Sequence, residues 1–478
     1  MTARKALTSA KEFLLLAALT ALALQTVTSG QPPSDARKED PYSANNRPPD
    51  DRFKADILLV VAHPDDEIMA AAYLAREIDA GKRVAIVWTT RGDGGVNVVG
   101  PEQSSAMGDI RVVEAMRAAA SFGVANMWNL NGPDTPTQDP LKSLSTCKHG
   151  DCLERLVRLV RLTRPPIILT WLPLGVTGEN HGDHQASGIL ATEAFDLAGD
   201  PTAFPEQVTP AAEPSKNENR LDGLRPWQPQ KIYYFSNPSH GEFFEGQGPQ
   251  YAATDVSPNR HISYGQIAAE EFIVHRTQGG GRVEQAMRDH GAEGLQRPIA
   301  LLKPTRFILG KSLVKSTSVT DDVFAGIVPE GIPYRPAPGY QPHEPTAPVI
   351  EFGGPWDYYR RFWPAHGIGH LATLNTPELS VEASETLPVP LIITNPTSQP
   401  IQVKIKTEIP EGWSLLNAPE SATVAPNTRY FLRVRAVAPA KKIAGWHQFR
   451  ISAAIAAGGP SLGDLTLRVE MNDWALPQ

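Results

Sequence analysis

The strongest constraint on the fold is one apolar run that ends in a cluster of charged residues. Residues 57–61 read ILLVV, and the chain continues as AHPDDE over residues 62–67. A continuous run of branched aliphatic residues is typical of a strand buried in a parallel sheet. Pro64 has no backbone N–H to donate and ends this strand, and the apolar spacing of residues 68–78 predicts a helix that Gly81 terminates. The polar residues therefore follow the carboxyl end of a strand, where ligands bind in open α/β sheets.

This turn has the composition of part of a metal site. His63 and Asp66 are three residues apart, so both side chains can face one point. Asp65 lies between them, and two adjacent carboxylates repel one another unless a cation lies nearby. The competing interpretation is a turn in which an aspartate only caps the next helix, which is the commoner arrangement. A metal site also needs a third ligand from elsewhere in the chain.

A second buried strand is followed by a second polar turn. Residues 83–88 (RVAIVW) lead into a glycine-rich stretch, TTRGDGG, at residues 89–95. Because the carboxyl ends of parallel strands share one edge of a sheet, we expect Arg91 and Asp93 to lie beside the first turn.

Amphipathic helices are predicted between these strands. Residues 109–122 form one such helix, with Val112, Val113, Met116 and Ala120 on its apolar face. The same alternation continues with a strand at 127–130, a helix at 153–162, strands at 167–171 and 231–235, and a helix at 263–278. Strands that alternate with helices predict an α/β fold with a doubly wound, mostly parallel sheet and right-handed crossovers.

A third polar turn supplies the missing ligand. It follows the predicted strand at 167–171 and contains His181, Asp183 and His184. We assign His184 as the third ligand, leave His181 free for acid chemistry, and expect Asp183 to orient one of the histidines. Two histidines in a loop are more often solvated than catalytic. The convergence of three polar turns on one sheet edge favours a site.

The three motifs together resemble the PIG-L (LmbE-like) deacetylases. AHPDDE (62–67), TTRGDGG (89–95) and HGDH (181–184) follow the order and spacing of that family, and HRTQ (275–278) is similar to its late H-x-[ST]-Q motif. The resemblance implies a Rossmann-like deacetylase domain over residues 54–328. It implies a zinc-dependent hydrolase that removes the N-acetyl group from an amino-sugar glycan, glycolipid or conjugate.

The resemblance also implies roles for individual residues. Zinc would be held by His63, Asp66 and His184 with a water in the open position, as in catalytic zinc sites; Fe²⁺ is an alternative metal. Asp65 would be the general base, and His181 would stabilise the oxyanion of the tetrahedral intermediate.

Two residues of the second turn are expected to bind the substrate. Arg91 resembles the arginine with which the family contacts substrate, while Asp93 replaces the more usual glutamate, which leaves its role open. Two alternatives remain at this point: a non-catalytic glycan-binding protein on the same fold, and an Fe(II) enzyme, since two histidines and one carboxylate also bind iron. The second is disfavoured because those enzymes use a jelly roll.

The amino-terminal residues predict export. Residues 1–30 contain basic residues, a short apolar stretch and then small residues, which indicates a secretory signal peptide, with an uncleaved anchor as the alternative. A polar, proline-rich linker follows at 31–53. In an oxidising compartment we expect Cys147 and Cys152 to form a disulfide; a metal site made with His149 is the lesser alternative. The net charge of -7 argues against a nucleic-acid partner.

The carboxyl-terminal third has a different pattern. Residues 329–376 are rich in proline and aromatic residues and form a connecting segment, whose stretch 356–363 either docks between domains or stacks on sugars. From 377 to 478, short alternating strands predict an all-β sandwich. PEGW at 410–413 resembles the Ig-like NEW3-type module of secreted glycosidases, which leaves a spacer and a glycan- or cell-surface-binding role equally open. A loop at 240–244 is expected to rim the pocket or to pack on the surface.

Overall fold

The fold is described from a computed structural model. It covers residues 50–178, 180–209, 223–237, 244–295 and 304–472. The predicted signal peptide, most of the linker and residues 240–243 of the predicted rim loop lie outside the described residues. Phe244, at the end of that loop, is buried in the core.

The first part of the described chain is an α/β domain. Its strands are β1 (Ile57–Val61), β2 (Val84–Thr90), β3 (Asn126–Gly132), β4 (Ile167–Trp171), β5 (Lys231–Phe235), β6 (Gln250–Tyr251), β7 (Thr305–Arg306) and β8 (Ile308–Ser312). Its helices are α1 (Ile68–Asp79), α2 (Ser104–Ser121), α3 (Pro140–Thr146), α4 (His149–Thr163), α5 (Gly182–Leu197), α6 (Tyr264–Phe272) and α7 (Gly280–His290). Where the structure describes the chain, no helix is both long and apolar enough to cross a membrane.

Six of these strands form one sheet with β1 near its centre. The order is β3-β2-β1-β4-β5-β8, and every pair is parallel except β5 with β8. Leu59 of β1 lies opposite Ile86 of β2 and Leu169 of β4. Alternate β1 residues enter two separate hydrophobic cores, so both faces of the sheet are covered. The predicted parallel-rich α/β architecture is confirmed.

Three local expectations were wrong. The buried face of α2 is not the predicted apolar one: Val113 is 46% exposed, whereas Arg111 and Glu114 are buried. The helix expected over 263–278 ends at Phe272, and the chain turns so that His275 reaches Glu67 before a 3₁₀ turn at Arg276–Gln278.

The third expectation that was wrong is the disulfide between Cys147 and Cys152. Both cysteines are free thiols. Lys148, in a left-handed conformation, joins α3 to α4 and places Cys152 in the first turn of α4. Its Sγ there donates a hydrogen bond to the carbonyl oxygen of Cys147 at 2.9 Å.

The carboxyl-terminal region is all-β. It comprises β9 (Val349–Phe352), β10 (Glu378–Val381), β11 (Thr386–Asn395), β12 (Ile401–Glu408), β13 (Ser414–Asn417), β14 (Ser421–Val424), β15 (Thr428–Val437), β16 (Trp446–Ile455) and β17 (Ser461–Met471). Two sheets, ordered β10-β17-β16-β12-β14 and β13-β15-β11-β9, share one hydrophobic core. We call this region, from β9 to β17, the sandwich. Strand β9 comes from the stretch 329–376 and pairs with β11.

Helix α8 (Pro355–Ala365) connects the sandwich to the α/β domain. Its Trp356 packs in the sandwich core, while Tyr359 and Trp363 pack in the core on one face of the α/β sheet. The Tyr359 hydroxyl donates to Gln185 of α5 at 2.9 Å. Of the aromatic residues at 356–363, Tyr358 is partly buried and the other four are buried, as expected for docking and not for an exposed sugar platform.

Candidate active site

The three predicted polar turns meet at the carboxyl edge of β1, β2 and β4. His63 and His184 are 121 positions apart in sequence, yet His63 Nδ1 and His184 Nε2 are separated by 3.1 Å. Helix α5 can lie this close to β4 because residue 188 is glycine: a Cβ there would be 2.2 Å from the carbonyl oxygen of Trp171. The indole ring of Trp171 in turn stacks on the His184 imidazole at 3.8 Å between ring centroids.

The side chains of His63, Asp66 and His184 form a compact ligand set. His184 Nε2 is 3.1 Å from Asp66 Oδ1, and the other carboxylate oxygen of Asp66 accepts from the backbone N–H groups of Ala62 and His63 and from Trp171 Nε1. Ligands of a tetrahedral zinc lie about 3.3 Å apart, given bonds of roughly 2.0–2.1 Å. The two 3.1 Å separations and the fixed Asp66 carboxylate fit a small divalent cation.

His181 lies beside this set. Its ring stacks on His184 at 4.0 Å and is 5.0 Å from the His63 ring. One ligand atom each from His63, His181 and His184 lie within 4.8 Å of one another, so His181 is also within reach of a shared ion. Its Nδ1 is buried and has no hydrogen-bond partner among the described residues. Burial, reinforced by His184 and His63, lowers the pKa of His181 well below its ordinary value, so the ring is neutral at pH 7.

Asp65 has an unusual conformation and an unusual pKa. Its φ of 139° lies in a region that non-glycine residues rarely adopt, and its N–H donates to Glu67 Oε2 at 3.1 Å. Burial, together with the Asp66 carboxylate, raises the pKa of Asp65 to about 8. A cation bound nearby would lower that pKa, because positive charge favours the carboxylate.

A buried layer behind the turn holds Asp65 in this conformation. Glu67 is fully buried, and its carboxylate accepts from Trp88 Nε1 at 2.9 Å and pairs with His275 Nε2 at 3.0 Å. Gln278 donates from its side chain to the carbonyl oxygen of Pro64 at 2.6 Å. The HRTQ segment therefore supports the first turn from behind and does not line the pocket.

The two predicted substrate-binding residues lie elsewhere. Arg91 is hydrogen-bonded to Asp109 and to the carbonyl oxygen of Ser105, which holds its guanidinium against α2. Asp93 accepts from the backbone N–H of Asp134 at 2.9 Å. Neither is among the described residues that line the pocket.

Arg111 is the arginine among the described residues that line the pocket. It enters the pocket from α2, is buried, and donates to the carbonyl oxygen of Val96 at 3.0 Å. A Cβ at Gly95 would be 2.7 Å from the Arg111 guanidinium, so the glycine-rich loop makes room for this side chain. Sequence reasoning missed Arg111 because it is a charged residue on the buried side of a helix.

Asp183 has the supporting role expected of it. Its Oδ2 is 3.5 Å from His63 Nε2 and accepts from the backbone N–H of Thr135 at 2.7 Å. Asp134 lies 3.9 Å from the same His63 nitrogen. These carboxylates orient the ring so that Nδ1 faces Asp66 and His184, which is the usual way a metal-binding histidine is fixed.

The candidate ligands, Asp65, His181, Arg111 and Asp183 line one pocket of about 630 Å³. Its lining residues come from the three turns, from α2, from the stretch after β3, and from β10 with the turn that follows it; they are His63, Asp65, Asp66, Gly94, Gly95, Arg111, Asp134, Thr135, Pro136, Thr137, Gln138, His181, Asp183, His184, Ser380, Val381, Glu382 and Glu385. The sandwich residues were not foreseen, since nothing local in their sequence indicates a pocket.

The geometry defines a class of protein. The class is an α/β domain with a histidine–carboxylate cluster at its strand ends. Residues 58–195 match the PIG-L family model, described as GlcNAc-PI de-N-acetylase. This part of the chain is similar to that family, and the relatives that it matches are named as deacetylases.

Two relatives are named for the same deacetylase activity. A 1D-myo-inositol 2-acetamido-2-deoxy-alpha-D-glucopyranoside deacetylase from Thermobifida fusca is 27% identical over 54% of this chain and 88% of its own length. One from Catenulispora acidiphila is 32% identical over 31% of this chain and 51% of its own length. The chain thus spans only about half the length of several relatives that it matches.

Among solved structures, one match is the N,N'-diacetylchitobiose deacetylase from Pyrococcus horikoshii. It has 19% sequence identity and a TM-score of 0.38, over 53% of this chain and 84% of that one.

Proposed function

We propose that the protein is an exported, metal-dependent N-deacetylase that hydrolyses the N-acetyl group of an amino-sugar glycan, glycolipid or conjugate. The observation that carries this is the coincidence of a three-ligand set, a candidate base and a candidate oxyanion donor in one pocket of a domain similar to the PIG-L family. Export rests on the sequence pattern of residues 1–30.

The residues present fit a zinc ion. His63, Asp66 and His184 would hold it, and the three-protein-ligand set leaves a coordination position open, which distinguishes catalytic from structural zinc sites. Bound there, a divalent cation supplies Lewis acidity that polarises the amide carbonyl. Fe²⁺ accepts the same ligand types, so the experiment below compares protein loaded with Zn²⁺ and with Fe²⁺.

Asp65 is suited to move the proton that hydrolysis requires. Attack of water on the amide carbon releases one proton, and the departing nitrogen needs one to leave as an amine. Asp65 accepts the first proton and returns it to the nitrogen, so that one water and one amide give acetate and a free amine. The buried Glu67 and His275 hold its backbone and orient it for both steps.

His181 is suited to stabilise the negative charge that develops on the carbonyl oxygen. Because its pKa is lowered, it is a neutral ring with one N–H donor and one acceptor. A preorganised donor in a buried pocket stabilises an oxyanion more than water does. Arg111, buried in the same wall, is suited to hold a substrate hydroxyl.

The decisive experiment measures metal and product together. The full chain is loaded with Zn²⁺ or Fe²⁺, and metal per chain is measured alongside acetate and free amine released from a panel of N-acylated sugars. We expect one ion per chain and hydrolysis by the loaded protein. His184→Ala should lose both, while His343→Ala, at an exposed histidine outside the pocket, should keep both.

Two results would contradict the proposal. Full metal content in His184→Ala would remove the ligand assignment. Carbohydrate binding by a fully loaded protein that releases no acyl group from any substrate would instead favour the non-catalytic glycan-binding alternative.

A further inference from the structure

The pocket has a wall that the α/β domain does not provide. Ser380 and Val381 of β10, with Glu382 and Glu385 of the following turn, line the same pocket as His63 and the other site residues. The turn is fixed, because the Glu382 N–H donates to Glu385 Oε2 at 2.8 Å and the Ser384 N–H donates to the carbonyl oxygen of Pro439 at 3.0 Å. We call these four lining residues the sandwich wall.

Buried hydroxyl groups on two walls lack partners. Ser380 is 8% exposed and Thr135, which lies on the α/β side of the pocket, is 4% exposed. In the described part of the chain, neither Ser380 Oγ nor Thr135 Oγ1 has a hydrogen-bond partner. Both residues line the pocket, and buried polar groups are nearly always hydrogen-bonded. A rotation of either side chain towards a polyhydroxylated ligand such as a sugar would give its hydroxyl group a partner.

The charge of the pocket restricts which sugar fits. Among the described lining residues there are six carboxylates, and Arg111 is their one permanently charged cation; the acids are Asp65, Asp66, Asp134, Asp183, Glu382 and Glu385. With all six ionised, Arg111 and a bound divalent cation together add only three positive charges against six negative ones. A phosphate or carboxylate on the ligand would be repelled near the sandwich wall, whereas an ammonium group would be attracted.

The position of α8 makes this wall a fixed part of the site. Trp356 anchors the helix in the sandwich core, and Trp363 Nε1 donates at 3.0 Å to the carbonyl oxygen of Pro173, in the loop that follows β4. Asp357 also pairs with Arg429 of β15 at 2.7 Å. The sandwich is therefore connected through α8 to the loop that leads to His181.

We infer that the sandwich wall is a binding subsite for the sugar unit next to the reacting one, and that it selects a neutral or amine-bearing unit over an anionic one. This rests on the proposed function for the identity of the reacting unit. The pocket volume is within the range of roughly 300–1,000 Å³ that accommodates drug-sized ligands, which is also the size of a small oligosaccharide. The substrate class is then a short or terminal stretch of an N-acetylated amino-sugar chain that tolerates neighbours already deacetylated.

The test is direct binding to the metal-loaded full chain. The probes are the glucosamine trimer, the N-acetylglucosamine trimer and N-acetylglucosamine 6-phosphate, measured by calorimetry at low and high salt. The glucosamine trimer is not a substrate for deacetylation, so its affinity reports the pocket alone. The variants are Glu382→Gln with Glu385→Gln, and separately Ser380→Ala; Glu420→Gln, an exposed glutamate outside the pocket, is the matched control.

We expect the double glutamine variant to weaken binding of the glucosamine trimer by about three- to tenfold, the usual effect of two exposed charge contacts. Binding of the neutral trimer should change little, and the difference should shrink at high salt. Ser380→Ala should weaken both trimers about two- to tenfold through a lost hydrogen bond. The control should match the unmodified protein, and the phosphorylated sugar should bind most weakly.

The inference would be overturned if the double variant and the unmodified protein bound the glucosamine trimer with equal affinity. It would also be overturned if the phosphorylated sugar bound most tightly of the three probes. Acetate release from other N-acetyl compounds, with no effect of the sandwich wall on binding, would leave the proposed function intact and remove the subsite. Charge-dependent trimer binding without acetate release from any compound would support the subsite and remove the proposed catalysis.

Discussion

Asp65 and Asp66 are chemically identical neighbours with different surroundings. Asp66 is buried, which opposes ionisation, but His184 and His63 hold the pKa of Asp66 well below its usual range. The backbone of Asp65 is strained, and burial together with Asp66 raises the pKa of Asp65 to about 8. The surroundings thus favour the charged form of Asp66, as the proposed metal ligand needs, and the protonated form of Asp65, the proposed base.

The first prediction separates these two residues. Asp65→Asn should retain the metal and lower kcat by roughly a hundred- to ten-thousand-fold, the usual contribution of a positioned general base. Asp66→Asn should lower metal affinity, and excess zinc should restore part of its activity. Metal titrations and turnover measured on both variants check this. If Asp65→Asn loses the metal while Asp66→Asn keeps it, the two roles are reversed.

The second prediction concerns Glu67, which acts through its neighbour. Its carboxylate accepts from the Asp65 N–H and pairs with His275. Glu67→Gln removes the charge with little change of shape, so Asp65 should lose its fixed position. We expect a lower kcat with KM and metal content unchanged, measured by steady-state kinetics on the zinc-loaded protein. A rise in KM alone would show that Glu67 serves substrate binding instead.

At the scale of elements, the sequence predicted the strands better than the helices. Strand β1 is apolar throughout because both its faces are covered, and such runs are recognisable without a partner. The buried face of α2 was missed because Glu114 accepts from the N–H and hydroxyl of Thr277, a contact 163 residues away. Apolar periodicity cannot reveal polar residues that are buried by distant hydrogen bonds.

The same reasoning explains which site residues could be predicted. His63, Asp66 and His184 follow strand ends, and parallel strands bring their carboxyl ends to one edge whatever the intervening sequence. Arg111 lies in a helix and Ser380 in the sandwich. Their places depend on packing between elements, which no local pattern encodes.

The third prediction belongs to α1, where Glu77 is buried. Burial, with a smaller effect from Asp322, raises the pKa of Glu77 to about 7. The folded protein therefore keeps a proton that the unfolded chain releases near pH 4.5, so this residue lowers stability as pH rises from about 4.5 to 7.

Glu77→Gln should remove that part of the pH dependence. The variant should be more stable than the unmodified protein at pH 8 and gain little at pH 4.5, as measured by Tm at both pH values. Glu411→Gln, at an exposed glutamate of the sandwich, should leave the difference between the two pH values unchanged. An equal gain from Glu77→Gln at both pH values would mean that its burial, and not its ionisation, limits stability.

At the scale of the whole molecule, α8 contributes side chains to two hydrophobic cores. Trp356 belongs to the sandwich core, whereas Phe362 and Trp363 belong to the core of the α/β domain. A substitution in the sandwich core at Trp356 is therefore expected to affect how α8 packs on the α/β domain. The pocket is lined from both regions, because the sandwich wall belongs to one and the proposed metal ligands belong to the other.

The last prediction tests this link with two buried tryptophans. Trp356→Ala and Trp413→Ala each remove a large side chain from the sandwich core, which typically costs about 3–5 kcal/mol of stability. Trp356 lies on α8 and Trp413 packs against Phe449 within the sandwich. Both variants should unfold at lower denaturant concentration. Only Trp356→Ala should also weaken binding of the glucosamine trimer, because it loosens the attachment of the sandwich wall to the pocket while leaving the metal ligands untouched. Equal trimer affinity in the two variants would mean that the sandwich is held in place without α8.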